Sequence, residues 1–299
     1  FAWDLFNEIH PAQAEGSAEP FMEFIHDLST HVRTLELRHY GRSHPQTVSL
    51  FGPELWWRPN MPLKEPIFRH PDLDFATIHI YREGTIDDPP NTVDPAIDTG
   101  RIVRDALAEI SDHRPFLDTE HGPIHRFKDK DTTLPEYFDD EYFRHMQWAH
   151  FASGAAGGGM RWPNRRPHVL TSGMRRAQKG LASFLPLIDW RRFRRINVND
   201  EIEAPDHIAR FGCSGENQAV VWLLRKDTMH SDGTLCRDVH PISVRLRIPG
   251  PRAKRFRVTA WDTYSGAVLA RFDMQSSGDG LAIETPAFVS DIALAVTAT

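Results

Sequence analysis

The pattern of apolar residues changes once along the chain, and this change constrains the fold more than any other feature of the sequence. Over roughly residues 1–190, short apolar runs alternate with stretches in which apolar residues recur every three or four positions. The second spacing is typical of helices that bury one face. From residue 208 onward this spacing disappears, and short strands separated by Gly and Asp turns follow one another. The chain is therefore predicted to be α/β in its first part and all-β in its second.

The predicted elements of the first part alternate between strands and helices. Strands are predicted at residues 1–6, 47–51, 75–81, 115–119 and 157–162, and helices at 21–40, 95–111, 134–151 and 169–185. This alternation requires parallel crossovers and favours either a barrel or a doubly wound sheet. The later strands, at 208–213, 219–224, 242–248, 256–261, 268–272, 281–283 and 292–296, favour an antiparallel β-sandwich. We place the domain boundary so that residues 1–198 form one domain and 199–299 the other.

Composition and charge argue against several classes of protein. The net charge of -6, from 35 basic and 41 acidic residues, gives no broad attraction for nucleic acid or for an anionic membrane surface. Apolar stretches are interrupted too often for a membrane span. The two cysteines, Cys213 and Cys236, are too few for a disulfide framework or a structural zinc site, and they leave the redox compartment undecided.

Two glutamates directly follow predicted strands. Glu8 comes after the first strand, and Glu120 comes after the strand at 115–119. In a (β/α)8 barrel, reacting groups project from the carboxyl ends of the strands into one cleft, so these side chains are expected to meet. A proton-donating carboxyl and an attacking carboxylate about 5–5.5 Å apart are what retaining glycoside hydrolysis requires. The simpler interpretation, that either is an ordinary solvated surface residue, is weakened by the motifs around them.

Four short motifs resemble those of clan A glycoside hydrolases, and they occur in the same order. They are Asn7-Glu8, His79-Ile80-Tyr81, Asp118-Thr119-Glu120-His121-Gly122 and Met160-Arg161-Trp162. The resemblance covers residues 1–190 and is closest to the family five cellulases and mannanases or to family thirty-nine. It implies strands 4 to 8 of a (β/α)8 TIM barrel followed by a β-sandwich domain. It also implies a retaining β-glycosidase that acts on a β-linked polysaccharide or oligosaccharide without a cofactor.

The resemblance implies a role for each matching residue. Glu8 would be the general acid/base and Glu120 the nucleophile, while Tyr81 would donate a hydrogen bond that holds the nucleophile ionised. Further residues are expected to contact the carbohydrate substrate: Asn7, His79, Trp162, Trp57, Glu54 and His121. Asn7 would bind the sugar 2-hydroxyl, and Trp162 would stack under the sugar at the cleaved bond. Tyr81, His79, Trp162, Glu54 and Trp57 also have a simpler interpretation as packing or structural residues.

The resemblance places residue 1 at the start of the fourth barrel strand. Three βα units of a complete barrel would then lie outside this sequence, and an open sheet edge is unfavourable. We therefore expect a companion segment, whether from a separate chain, a cleaved N-terminal piece or the same precursor. The resemblance suggests a secreted or periplasmic location, and a cytoplasmic one stays open.

Two other functions remain open at this point. One is a catalytically inactive glycan-binding protein on the same fold. The other is a metal-dependent hydrolase, because Asp118, Glu120, His121 and His125 occur in one stretch. Gly122 and the proline after it break any helix there, so the two histidines lack the helical i, i+4 spacing of a chelating pair. We predict no metal site from these residues, and a calcium site made of oxygen ligands stays open.

Overall fold

The computed structural model describes residues 1–9, 17–52, 65–82, 85–87, 89–122, 134–162, 170–276 and 280–299. Glu54 and Trp57 lie outside these described residues. The chain forms two compact units. Unit 1 comprises Phe1–Asp88, Asp105–Lys128 and Ala155–Pro163, and unit 2 comprises Pro89–Arg104, Asp129–Gly154 and Asn164–Thr299. The units are defined by which segments pack together, so each combines segments that are distant in sequence. The division at residue 198 remains a prediction.

Unit 1 is built on parallel strands that pair in chain order. The strands are β1 (Trp3–Asp4), β2 (Gln46–Thr47), β3 (Ser49–Phe51), β4 (Ala76–Ile80), β5 (Phe116–His121) and β6 (Met160–Arg161). β1 pairs with β2, only Val48 separates β2 from β3, and β3-β4-β5-β6 form a four-stranded sheet. All five residues of β4 are buried, as expected for a parallel strand covered on both faces. Each strand agrees with a predicted run to within a few residues.

The described helices are α1 (Glu19–Tyr40), α2 (Glu65–Phe68), α3 (Asp94–Glu109), α4 (Glu136–Ala152) and α5 (Ser172–Phe184). The four longer ones agree with the predicted helices, whereas the single turn α2 was not predicted. α1 begins with a proline in its first turn and ends at Gly41, whose φ of 67° is the left-handed conformation that glycine adopts at a helix end. None of the described helices is long and apolar enough to cross a membrane.

Unit 2 contains an antiparallel sheet in the order β12-β11-β14-β9-β8-β7 and a separate β10-β13 pair. The strands are β7 (Ile196–Asn197), β8 (Ile208–Ser214), β9 (Gln218–Arg225), β10 (Arg245–Ile248), β11 (Arg255–Asp262), β12 (Ala267–Gln275), β13 (Leu281–Glu284) and β14 (Asp291–Ala298). β8 to β14 agree with the seven predicted strands. The two-residue β7 was not predicted.

Both faces of β9, an inner strand of the large sheet in unit 2, are buried. Val221 and Leu223 share a core cluster with residues of β10 and β13. Trp222 and Leu224, on the opposite face, share a second cluster with α4 and α5, including Trp148. Alternate side chains of one strand therefore enter two different cores, which is the two-residue period of a β-strand. The helices α4 and α5, predicted as barrel helices, pack on this sheet.

Candidate active site

Three parallel strands of unit 1 position the candidate catalytic residues. Glu8 follows β1 and precedes Ile9, which forms a parallel bridge with Leu50 on β3. His79 lies on β4 and Glu120 on β5, and these two residues are direct partners in the sheet register. β3 lies between the Glu8 segment and β4, and because all of these strands are parallel, their side chains emerge at the same edge of the sheet.

His79 lies between the two glutamates. Its Nδ1 atom is 2.8 Å from Oε1 of Glu8 and 3.5 Å from Oε2 of Glu120. One donor atom from each of the three side chains lies within 4.8 Å of the others. Inverting glycosidases hold their carboxyl groups about 6.5–9.5 Å apart, whereas retaining enzymes hold them about 5–5.5 Å apart. The structure therefore brings Glu8 and Glu120 together in the closer arrangement.

The two carboxylates reach the surface, although the imidazole between them does not. The side chain of His79 is 2% exposed, whereas those of Glu8 and Glu120 are 25% and 14% exposed. Burial opposes protonation of His79, but its hydrogen bond to Glu8 and the charges of Glu120 and Glu8 raise its pKa overall. The two glutamates therefore favour the protonated form of this imidazole, whose positive charge would offset theirs.

Tyr81 holds Glu120 from the other side. Its hydroxyl donates a hydrogen bond to Oε1 of Glu120, and its ring is fully buried. Burial, followed by the bond to Glu120, raises the pKa of Tyr81, so the phenol remains a donor. Burial also raises the pKa of Glu120, while Tyr81 and His79 act in the opposite direction by stabilising the ionised form. The structure thus places Tyr81 in hydrogen-bond contact with Glu120, and the role that the resemblance implies for Tyr81 stays a prediction.

The backbone at Glu8 is in a conformation that residues other than glycine rarely adopt. Its φ is 56°, in the left-handed region. The Glu8 N–H donates to Oγ of Ser49 at 3.0 Å, and the Ser49 N–H donates to Oδ1 of Asp4 at 3.0 Å. Strained residues held by their surroundings in this way cluster at functional sites. The sequence contains no clear signal for this feature.

Two glycines allow the backbone to approach closely around the site. A Cβ atom at Gly52 would lie 2.0 Å from the carbonyl oxygen of His79, which accepts the Gly52 N–H at 3.0 Å. A Cβ atom at Gly159 would lie within 2.6 Å of backbone atoms of Asp118, Thr119 and Glu120. Any larger residue at either position would displace the strand that carries His79 or Glu120.

Asp118 is a further residue of the site for which sequence reasoning assigned no role. It is buried two positions before Glu120, and its Oδ1 atom accepts the N–H groups of Ile80 at 3.3 Å and of Glu120 at 3.2 Å. These bonds tie β4 to β5 beside a register shift between Ile78 and His79. The available signal in the sequence was a second carboxylate two residues before Glu120.

The remaining predicted contact residues differ in accessibility. Asn7 is exposed beside Glu8, and Trp162 is 43% exposed directly after β6. The backbone N–H of Trp162 donates to the His121 carbonyl at 2.7 Å, so Trp162 lies beside the end of the strand that carries Glu120. The His121 side chain, in contrast, is fully buried and presents no surface to a solute. We therefore do not retain His121 as a substrate contact.

Glu8, His79 and Glu120 also form a set of donors that could hold a metal ion. Two ligands each about 2.0 Å from a tetrahedral zinc ion would be about 3.3 Å apart. The Nδ1–Oε1 distance of 2.8 Å is shorter than this and is typical of a charge-assisted hydrogen bond. The arrangement described here is therefore that of a hydrogen-bonded acid cluster.

Comparison with known proteins identifies structural relatives only. No family model and no curated protein matches this sequence. A glycoside hydrolase family 5 protein from Bacteroides vulgatus matches with a TM-score of 0.52 and 13% identity, over 91% of this chain and 58% of that chain. A structure described as a glycoside hydrolase matches with a TM-score of 0.48 and 14% identity, over 91% and 60%. A family 30 endoxylanase from Clostridium papyrosolvens matches with a TM-score of 0.46 and 11% identity, over 99% of this chain and 66% of that chain.

The likeness to the family 5 protein shows that the chain has a clan A glycoside hydrolase-like fold, in which helices and sheets are mixed. The chain spans 60% and 58% of the length of the first two structures described above.

Proposed function

We propose that this protein is a retaining β-glycoside hydrolase that cleaves a β-linked polysaccharide or oligosaccharide by double displacement. The observation that carries the proposal is the convergence of Glu8 and Glu120 on the Nδ1 atom of His79, with donor atoms within 4.8 Å of one another. The fold supports the same class of protein.

The proposed mechanism assigns complementary roles to the two glutamates. Glu120 attacks the anomeric carbon and forms a glycosyl-enzyme, while Glu8 gives a proton to the departing oxygen. Glu8 then takes a proton from water as the water attacks the same carbon and releases Glu120. Burial raises the pKa of Glu120, and Tyr81 and His79 oppose that rise by stabilising the carboxylate from which attack starts.

The proposal extends to the substrate contacts and to the architecture. Asn7 and Trp162 are accessible and are proposed to bind the sugar, and Glu54 and Trp57 are proposed as outer subsites. The parallel order β3-β4-β5-β6 supports a (β/α)8 barrel as the complete catalytic fold, with a companion segment supplying its other strands. The packing of β10 and β13 on the large sheet supports a β-sandwich in unit 2.

The experiment that tests the proposal compares Glu120→Gln with the wild type on a panel of aryl β-glycosides and defined β-glycans. We expect kcat/KM to fall by about a thousandfold or more, because an amide cannot act as the nucleophile. Glu216→Gln, at an exposed glutamate in unit 2, is the matched control and should keep full activity. Unchanged turnover in Glu120→Gln would contradict the assignment. Glycan binding without turnover in the wild type would favour the inactive binding protein.

A further inference from the structure

Unit 2 contains a cavity of about 270 Å³ that plays no part in the proposed hydrolysis. We call it the arginine cavity, and the charged and aromatic residues that define it are Asp140, Glu141, Arg144, Arg176, Arg237 and Tyr264. All of these residues belong to unit 2, whereas Glu8 and Glu120 belong to unit 1. The volume lies just below the range of about 300–1,000 Å³ that is usual for small-molecule sites, so it suits a compact ligand.

Helical spacing explains why these side chains meet. Positions 137, 140, 141 and 144 of α4 are separated by three, one and three residues and share one face of the helix. Positions 173, 176 and 177 share a face of α5 in the same way. Arg237 comes from a loop between β9 and β10, and Tyr264 comes from the turn between β11 and β12. Four separate segments of the chain thus contribute to one cavity.

The acidic side chains at the cavity each have hydrogen-bond donors of their own. Asp140 accepts a hydrogen bond from the hydroxyl of Thr171 and lies against the first turn of α5, where the helix dipole favours negative charge. Oε1 of Glu141 accepts bonds from the hydroxyl of Thr92 and from the N–H of Leu235, both at 2.8 Å. These two carboxylates therefore have neutral hydrogen-bond donors of their own and do not depend on the arginines for them.

Arg144 already has hydrogen-bond and ion-pair partners of its own. It is buried, and it donates to both carboxylate oxygens of Asp291 at 2.7 Å and to the hydroxyl of Thr263 at 2.6 Å. Its remaining effect on the cavity is a nearby positive charge. Burial, followed by the charge of Arg144, lowers the pKa of Arg237.

The positive charges of Arg176 and Arg237 are less completely compensated by carboxylates than that of Arg144. The Arg237 guanidinium lies 3.6 Å from the centre of the Tyr264 ring, and that of Arg176 lies 5.3 Å from it and donates to the Tyr264 hydroxyl at 3.1 Å. Within the described part of the chain, the carboxylate closest to Arg237 is Glu141, at 4.0 Å. Two guanidinium groups thus border the same aromatic ring, and neither makes a bidentate carboxylate pair among the described residues.

We propose that the arginine cavity binds a small ligand bearing one carboxylate group, which Arg176 and Arg237 clamp beside Tyr264. The planar fork of a guanidinium matches a carboxylate, and two such forks can share its two oxygens. A dianion such as phosphate is less suitable, because Asp140 and Glu141 also line the cavity. An acidic sugar and a simple organic acid share the required group. The proposal requires nothing of Glu8 or Glu120, so it stands or falls separately from the hydrolase assignment.

The test is isothermal titration calorimetry of the whole protein at low ionic strength with glucuronate, acetate, glucose and inorganic phosphate. We expect at least one carboxylate to bind, glucose not to bind, and phosphate to bind more weakly than the carboxylate. Tighter binding of glucuronate than of acetate would identify an acidic sugar as the ligand class, and the reverse would identify a simple acid. Arg237→Gln and Arg176→Gln should each weaken binding about tenfold or more.

The matched control is Arg245→Gln, which removes the same charge from an exposed arginine on β10 and should leave binding unchanged. Circular dichroism of each variant checks that it is folded. Any of three results would overturn the proposal: no carboxylate binding to the folded wild type, equal affinity for glucose, or tighter binding of phosphate. Unchanged affinity in both folded arginine variants would do the same.

Discussion

The Nδ1 atom of His79 lies 2.8 Å from Oε1 of Glu8. Glu8 therefore has its hydrogen-bond partner on β4, which is separated from the Glu8 segment by β3. The same nitrogen is 3.5 Å from Oε2 of Glu120. One buried imidazole therefore joins the two carboxylates that the proposed chemistry needs, and it offers each of them a positive charge when protonated. Changes to the residues around this imidazole should affect activity and stability in distinguishable ways.

Replacing Tyr81 with Phe should reduce activity and change its pH dependence. The variant removes a hydrogen bond to ionised Glu120, so the pKa of Glu120 should rise further. We expect kcat/KM to fall about 10- to 100-fold, as for other bonds to charged groups, and the acidic limb of the pH profile to move to higher pH. Tyr40→Phe, at an exposed tyrosine at the end of α1, is the control. An acidic limb that stays in place would contradict the role given to Tyr81.

Replacing His79 with Gln should produce a loss of stability that depends on pH. Because the folded-state pKa of His79 is raised above its ordinary value of 6.5, its protonated form stabilises the folded protein. This contribution is fully present below pH 6.5 and is lost as the pH rises through the folded-state pKa. The difference in free energy of unfolding between the wild type and His79→Gln should therefore be largest at low pH and should shrink as the pH rises.

Urea denaturation of both proteins at several pH values measures that difference. His39→Gln, at an exposed histidine of α1, shows the effect of removing a histidine from the surface. If the difference in free energy of unfolding between the wild type and His79→Gln grew as the pH rose, the result would contradict this account.

Gly159 and Gly157 should respond very differently to the same substitution. A Cβ atom at Gly159 would lie within 2.6 Å of the backbone of β5, whereas one at Gly157 would meet only a Leu117 side-chain atom at 4.0 Å. Gly159→Ala should cost about 2–4 kcal/mol and reduce activity by shifting Glu120. Gly157→Ala should change the melting temperature and activity little. Equal effects of the two substitutions would contradict the close approach of β6 to β5.

Replacing Glu8 with Ala should have an effect that depends on the leaving group of the substrate. A poor leaving group needs the proton that Glu8 supplies, so its turnover should fall about 10²- to 10⁴-fold. A substrate whose leaving group departs as a stable anion should form the glycosyl-enzyme at nearly the wild-type rate. Pre-steady-state kinetics with two aryl β-glycosides of different leaving-group acidity measures this. If the rate of glycosyl-enzyme formation fell equally for both substrates, the acid/base role of Glu8 would be contradicted.

The local elements could be predicted from the sequence because they depend on short-range periodicity. The short apolar run of β9 and the helical spacing of α1 are visible in the residues themselves, and both elements agree with their predicted bounds to within a few residues. The candidate glutamates could be found for a related reason, since each comes at or near the end of a predicted apolar strand.

Features that depend on how strands pair could not be predicted. The roles of Gly52 and Gly159 arise from backbone atoms of neighbouring strands, and the hydrogen bonds of Asp118 arise beside a register shift. The burial of His121 follows from its position one residue beyond Glu120, where the side chain points to the other side of the strand. The arginine cavity combines two helices with two distant turns, and no local pattern indicates it.

The most direct test of the account is to trap the glycosyl-enzyme with 2-deoxy-2-fluoro β-glycosides of several sugars and to locate the label by mass spectrometry. Fluorine at carbon 2 slows hydrolysis of the intermediate, so a nucleophilic carboxylate should remain esterified. The account predicts a mass increase of one fluorosugar on the peptide that contains Glu120, and none in Glu120→Gln. A label on any other residue, or hydrolysis of a β-glycoside with no label at all, would contradict it.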